Sequence, residues 1–296
     1  MLKRIYEVLS SENQSHLNFT LARLAGRLYR IRFINLKTPR NGWPILLGIS
    51  FPKSGTNLLA QVLQGFSRVT PFAPHIIPHL GLGVGLDVRQ RRALVKRQLA
   101  TLRPLDFVTA HLPALKENLE IVCAPRFLSY MILRDPRDVA VSLVYYVTGM
   151  EINHPLHHYF SSTLKTFDER LLVSIKGVEL PNLKRHHIAR QIENYLDWRD
   201  HPGVHFVRFE DLIEDRRSAL TAIADHFLQR IETLSVSREK IIEALDSSIN
   251  PFRSPTFRSG KTGEWKKYFT EEHKRVFKDV AGDLLIRLGY EKDDNW

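Results

Sequence analysis

Apolar positions along this chain follow two rhythms. Short unbroken runs, "ILLGIS" (45–50), "DFVTA" (106–110), "LSYMIL" (128–133) and "VHFVRF" (204–209), alternate with longer stretches in which apolar residues recur every three or four positions. Short runs of this kind suit strands buried on both faces. Their alternation with helical stretches predicts an α/β fold, a mainly parallel central sheet flanked by helices on both sides. The helical stretches cover 55–66, 136–148, 186–199, 216–229 and 270–288. Near the end, "INPFRSPTFRSGKTGEW" (249–265) holds two prolines and two glycines and reads as a long loop. Loops of that length in compact domains are usually functional or disordered.

Before Pro44 the rhythm differs. "LARLAGRLYRIRF" places Leu21, Leu24, Leu28 and Ile31 at helical spacing, with Arg23, Arg27 and Arg30 between them. Two readings stand: an interfacial helix giving peripheral membrane contact through residues 17–40, or an amphipathic helix docked on the main body. The expected organisation is an N-terminal helical appendage over 1–43 and a single domain over 44–296.

Composition narrows the class. At 296 residues, 43% hydrophobic and 25% charged, the chain has enough apolar surface for a substantial core. Its single cysteine, Cys123, excludes an intrachain disulfide and is expected to be a small buried hydrophobe. No apolar run approaches the roughly 18 residues of a membrane span, and no signal-peptide core is evident, so a cytoplasmic location is the default expectation. A formal net charge of +11 points to an anionic partner without choosing among nucleic acid, a membrane surface and a phosphorylated small molecule.

The chemistry gathers where the strand runs end. "ILLGIS" leads to Lys53, Ser54, Gly55 and Thr56, "DFVTA" to His111, "LSYMIL" to Arg134, and "VHFVRF" to Glu210 and Asp211. In open α/β sheets, ligands bind outside the carboxyl ends of the strands, so four separate segments converge on one edge. A helix opening after Gly55 offers backbone N–H groups and a positive dipole end to an anion, and Lys53 adds a full charge. A Walker A loop has glycine directly before its lysine, whereas this chain has Pro52 there, which disfavours a standard nucleotide-triphosphate loop. In "ILRDPRDVAVSLVYYV", Asp135 is a good N-cap, Pro136 suits the first helical position and Asp138 lies in the first turn. Ser142 is either a core serine bonded back to the Asp138 carbonyl or, with Arg134, a holder of a second phosphate.

Taken together, "FPKSGTNLL", "TAHLP", "ILRDPRDVAVS", "VRFEDL" and "FRSGKTGEWKKYF" resemble, in order and spacing, the cytosolic-type sulfotransferases that use 3′-phosphoadenosine-5′-phosphosulfate (PAPS). The likeness runs from about Pro44 to Leu288. It implies a P-loop-like turn, Lys53, Ser54, Gly55, Thr56 and Asn57, that grips the 5′-phosphosulfate. Arg134 and Ser142 would take the 3′-phosphate with Arg258, Ser259 and Gly260 from the late loop. His111 matches the family's catalytic histidine, and Phe209 stands where an adenine-contacting tyrosine is usual. Some positions depart from the pattern. The usual Lys-Thr-His reads Thr109-Ala110-His111, which leaves more work to Lys53; the adenine-stacking aromatic is Leu58; and Arg-Lys-Gly reads Arg258-Ser259-Gly260. The dimerisation motif keeps Lys266 and Thr270 but lacks its Val and Glu, so the oligomeric state stays open.

The resemblance implies sulfuryl transfer from PAPS to a hydroxyl or amine of a small-molecule acceptor, in line, with His111 as base, Lys53 on the leaving oxygen and no metal. Two other classes are weighed. A P-loop phosphotransferase using ATP would need a carboxylate for magnesium. Glu210 and Asp211 could serve, although capping the next helix is the expected role. A non-catalytic nucleic-acid or membrane binder would use "VRQRRALVKRQ" (88–98), but such a run usually forms a solvated helix face, and no nucleic-acid partner is expected. The histidines at 75 and 79, and at 154, 157 and 158, are read as metal ligands or as lining of the acceptor pocket, which segments 71–86 and 147–180 would shape. The acceptor itself is left open.

Overall fold

The computed structural model describes residues 17–21, 24, 28, 42–73, 79–80, 87–181, 183–231 and 234–296. Four strands, β1 (Ile45–Ser50), β2 (Phe107–Ala110), β3 (Phe127–Leu133) and β6 (Val204–Arg208), pair in parallel in the order β2-β1-β3-β6. A separate antiparallel hairpin joins β4 (Val178–Leu180) to β5 (Leu183–Arg185). The four apolar runs are thus the four strands of the main sheet, shorter by a residue where "DFVTA" and "VHFVRF" begin or end.

Every residue of β1, β2 and β3 is buried, which is why these runs lack polar alternation. The pleat still sorts their side chains. Ile45, Leu47, Ile49, Met131 and Leu133 pack on one face, and Leu46, Leu128, Tyr130 and Ile132 on the other. The first face is covered by α4 (Pro136–Tyr145), α5 (Phe167–Lys176), α6 (Ile188–Arg199) and α10 (Glu271–Ala281). The second is covered by α1 (Thr56–Gln64), α8 (Arg216–Leu228) and α9 (Arg238–Asp246). Two further helices, α2 (Val88–Thr101) and α3 (Lys116–Val122), flank β2 in the chain, and α7 (Phe209–Glu214) follows β6 directly.

Several expectations are corrected. The stretch 270–288 is two helices, because Gly282 at φ 51 ends α10 before α11 (Leu284–Arg287). Past Tyr145, α4 widens into a π-helical turn, Tyr146–Met150. Cys123 is half-buried at the end of α3 rather than inside the core. Residues 88–98 do form a helix with a solvated basic face, anchored by Leu94, Gln98 and Leu99. In the N-terminal segment Phe19 joins the core while Leu21, Leu24 and Leu28 are exposed; Arg23, Arg27, Arg30 and Ile31 lie outside the described residues. No helix among the described residues is long and apolar enough to cross a membrane.

Candidate active site

Because β2 and β3 lie on opposite sides of β1, the chain switches direction there, and a crevice opens above the carboxyl ends of the strands. Lys53 to Thr56 rise from β1 into that crevice. Lys53 is held at φ 69, a conformation that a non-glycine residue adopts at a cost of about 1–3 kcal/mol, so surrounding structure must enforce it. Gly55, at φ 103, lies so close to Phe209 that a Cβ there would sit 2.7 Å from the ring. Helix α1 then begins without a side-chain cap and without an acidic residue in its first turn. Its N–H groups remain available to an anion. Ser54 adds a fully buried hydroxyl with no hydrogen-bond partner among the described residues.

Three cations face this turn. Lys53 Nζ stands 3.6 Å over the Tyr146 ring. Burial, then the charges of Arg134 and Arg258, lower its pKa to about 8. Arg134, buried at the end of β3, lies 4.5 Å over Phe209 and donates to Asp138 at 3.0 Å and to the Lys261 carbonyl at 2.8 Å. Its Nε is buried without a partner among the described residues. Arg258 and Ser259 both bond the Glu264 carboxylate. Burial opposes ionisation of Glu264, but the bonds from Ser259 and Arg258 outweigh it and hold its pKa below the usual range.

Asp138 does more than favour its helix's N-terminus. Its carboxylate accepts from Arg134, from the Gly263 N–H at 2.9 Å and from the Trp265 N–H at 2.8 Å, so it pins the late loop to α4. Burial raises its pKa against the pull of Arg134. The other end of the loop is tied to α1, where Asn57 donates to Thr256 at 2.9 Å and Gln61 to the Asn250 carbonyl at 2.8 Å. Asp135 caps α4 as expected, accepting from the Arg137 N–H at 2.8 Å. Neither Glu210 nor Asp211 caps the next helix, since α7 starts without a side-chain cap and Asp215 caps α8; Glu210 instead accepts from the Asp135 N–H at 2.9 Å and from the Tyr290 hydroxyl at 3.0 Å, bracing the turn below Arg134. Ser142 is half-buried one turn further along α4, and Gly260 turns at φ 64 between Ser259 and Lys261.

His111 follows β2. A carbonyl oxygen can only accept, so the 2.9 Å bond to the Ser50 carbonyl fixes a proton on Nδ1 and leaves Nε2 as the basic nitrogen. The ring has exposed surface yet is packed round by protein, and burial lowers its pKa despite the Ser50 bond. Ser50 Oγ lies 3.1 Å from His111 Nδ1 and 2.8 Å from Thr56 Oγ1, which links the histidine to the anion turn. The segment after His111 is held by α6: Trp198 donates to the Leu112 carbonyl at 2.7 Å.

A family model described as "Sulfotransferase domain" matches residues 45–289. The chain belongs to that family. This sulfotransferase is 24% identical to a 3-beta-hydroxysteroid sulfotransferase of Cavia porcellus over 79% of its own length and 83% of the relative's. It is 22% identical to Sulfotransferase 6B1 of Danio rerio, covering 83% and 82%. Its fold matches mouse sulfotransferase SULT7A1, solved with PAP, at a TM-score of 0.56 and 20% identity over 83% of this chain and 84% of that one. It also matches retinol dehydratase, solved with androsterone and the inactive cofactor PAP, at 0.55 and 18% identity, covering 88% and 85%.

Within this sulfotransferase, some site-forming residues escaped sequence reasoning. Ser50 was legible only as a strand end, and Asp138 only as a first-turn acid. His79 lies against His111, with ring centroids 4.2 Å apart, and its Nδ1 is 3.0 Å from the Thr109 hydroxyl. Thr109, where the family pattern has lysine, therefore carries a second imidazole beside the first. His154 meets Tyr146 edge-on at 6.0 Å. His157 is bonded to the Val147 carbonyl at 2.7 Å, and His75 lies outside the described residues. Among the described residues, no three metal-ligating side chains gather into a site.

Proposed function

We propose that this sulfotransferase takes its sulfuryl group from PAPS and passes it to a hydroxyl, or an amine, of a small-molecule acceptor, with His111 as the general base. The residues at the turn fit such a donor. An uncapped helix start, a buried hydroxyl without a partner and a desolvated lysine are groups that an anion would satisfy. Lys53, Ser54, Gly55, Thr56 and Asn57 would hold the phosphosulfate end. Arg134 and Ser142, with Arg258, Ser259 and Gly260, would hold the 3′-phosphate, and Phe209 would back the turn. Bound PAPS supplies an activated sulfuryl group on a phosphate leaving group.

The observation that carries the mechanism is the Nδ1–H bond from His111 to Ser50, which aims basicity at Nε2. The acceptor's proton goes to Nε2 as its oxygen takes the sulfuryl, and the Lys53 ammonium stabilises charge on the oxygen left behind. Such in-line transfer requires donor and acceptor on opposite sides of the sulfur, which suits Lys53 and His111 rising from neighbouring strand ends. The relatives' names and androsterone in a neighbour's crystal favour small hydroxyl compounds as acceptors.

A screen of phenols, alcohols and amines with ³⁵S-PAPS, run with and without chelator, tests the reading. Labelled product that is unaffected by chelation is expected. Failure of every acceptor together with no binding of PAP overturns it, as would magnesium-dependent turnover of ATP.

A further inference from the structure

His111 is held at one nitrogen by Ser50, but a ring bonded at a single edge can still tilt about that bond. A second contact meets it from the side. His79 lies against His111 with ring centroids 4.2 Å apart and planes at 62°. That is closer than the roughly 4.5–7 Å usual for aromatic pairs.

One residue, Thr109, fixes His79 twice. Leu80, buried in the core, donates its N–H to the Thr109 carbonyl at 2.8 Å and forms a parallel bridge with Ala110. Residues 79–80 therefore lie along the outer edge of β2. From there His79 Nδ1 stands 3.0 Å from the Thr109 hydroxyl. Thr109 and His111 are two positions apart, the spacing that puts side chains on one face of an extended chain. A side chain seated on Thr109 thus reaches His111.

The contact bears on water as well as on orientation. Burial is the largest cause of the lowered His111 pKa, and the His79 ring is part of the wall that makes it. Lys53 acts on His111 from the turn after β1. Among the described residues, His79 and Lys53 are thus the titratable groups set around this ring, with Ser50 adding a carbonyl and a hydroxyl.

We propose that His79 is a positioning residue for His111. Seated on the Thr109 hydroxyl, it packs the flank of the imidazole, keeps Nδ1 on the Ser50 carbonyl and so keeps Nε2 aimed at the acceptor's hydroxyl. This rests on the reading of His111 as the base and goes beyond it by naming what holds the base in place.

Two measurements test it. In protein labelled with ¹⁵N-histidine, the His111 ring is assigned by its loss in His111→Ala and then titrated. The wild type should show the Nδ1–H tautomer. His79→Ala admits water beside the ring and should raise the His111 pKa by about one unit. Thr109→Val, which unseats His79, should move it the same way, and His79→Phe, which keeps a ring against His111, should move it less. In kinetics with PAPS and 2-naphthol or 4-nitrophenol, His79→Ala should lower kcat by about ten- to a hundredfold, with PAP affinity unchanged. The same substitution should cost nothing further in His111→Ala, because it acts through that ring.

An unmoved His111 titration, an unchanged kcat, or an equal fall with and without His111 overturns the inference. Should His79→Ala fold poorly, by circular dichroism, Thr109→Val and His79→Phe decide by the same titration. If neither phenol is turned over, the titration decides alone. Normal turnover by His111→Ala defeats the base assignment and the inference with it, and a protein that binds no PAP defeats the sulfotransferase reading. A failure confined to the His79 and Thr109 variants leaves both of those standing.

Discussion

Around the turn after β1 Arg134 is bonded to Asp138 and Arg258 to Glu264, whereas Arg185, at the end of the β4–β5 hairpin, meets no carboxylate among the described residues, and burial, then the Arg185 charge, lowers the pKa of His154 to about 4. The turn is also braced from outside: Asp138 holds the late loop, Glu210 holds the turn before α4, and Asn57 and Gln61 tie the loop to α1. Clustered cations repel one another, and carboxylates among them keep the arginines in place before any ligand arrives. The arginines near the turn are thus pre-organised by protein acids, and Arg185 is not held in this way by any described carboxylate.

The largest effect should come beside the turn. Replacing His111 with Ala removes the proposed base and should lower kcat by about 10²–10⁴-fold, roughly 3–5 kcal/mol of barrier, with PAP affinity kept. Near-normal turnover would remove His111 from the chemistry. Next is Asp138→Ala, which leaves Arg134 buried and unpaired and frees two loop N–H groups. A loss of about 3–5 kcal/mol in urea unfolding is expected, with weakened PAP binding. If stability held, the bracing of the turn would be incidental.

Arg134→Met should weaken PAP by about tenfold or more, the worth of a charged hydrogen bond at roughly 1.5–3 kcal/mol, as read by calorimetry. Smaller still is a shift in pH dependence. As the proposed base His111 has to be neutral in the free enzyme, and burial lowers its pKa, so kcat/KM should rise on an acid limb that lies below the ordinary histidine range. Lys53 must be charged, so kcat/KM for the donor should fall above about pH 8. Burial and the charges of Arg134 and Arg258 set that upper limb, so Arg258→Met should move it to higher pH. An unmoved limb would assign it to another group.

The smallest effect concerns stability away from the crevice. His226, stacked on His205, has its pKa lowered to about 4 by burial and then by His205. The folded state resists protonating it while the unfolded chain does not. Its contribution is therefore present above the ordinary histidine pKa and is lost as pH falls from there toward about 4. His226→Phe should flatten the fall of Tm over that window, and an unchanged slope would contradict it.

The sequence by itself determined the main sheet and the local form of the turn from Lys53 to Thr56. Burial on both faces turns a strand into a contiguous apolar run, and an anion turn needs its lysine, hydroxyls and glycine side by side, so both are written locally. The N-cap at Asp135 and the proline after it are equally local. Tertiary structure alone decided the rest, because those roles depend on partners far away in the chain. Ser50 acquires His111 across 61 positions, Asp138 acquires Gly263 across 125, and Glu210 acquires Asp135 across 75. The hairpin that carries Arg185 has strands too short for a periodic signal. No spacing could show that this arginine, unlike Arg134, would be without an acid among the described residues: a residue's charge is fixed by its type, but its counter-charge is fixed only by the fold.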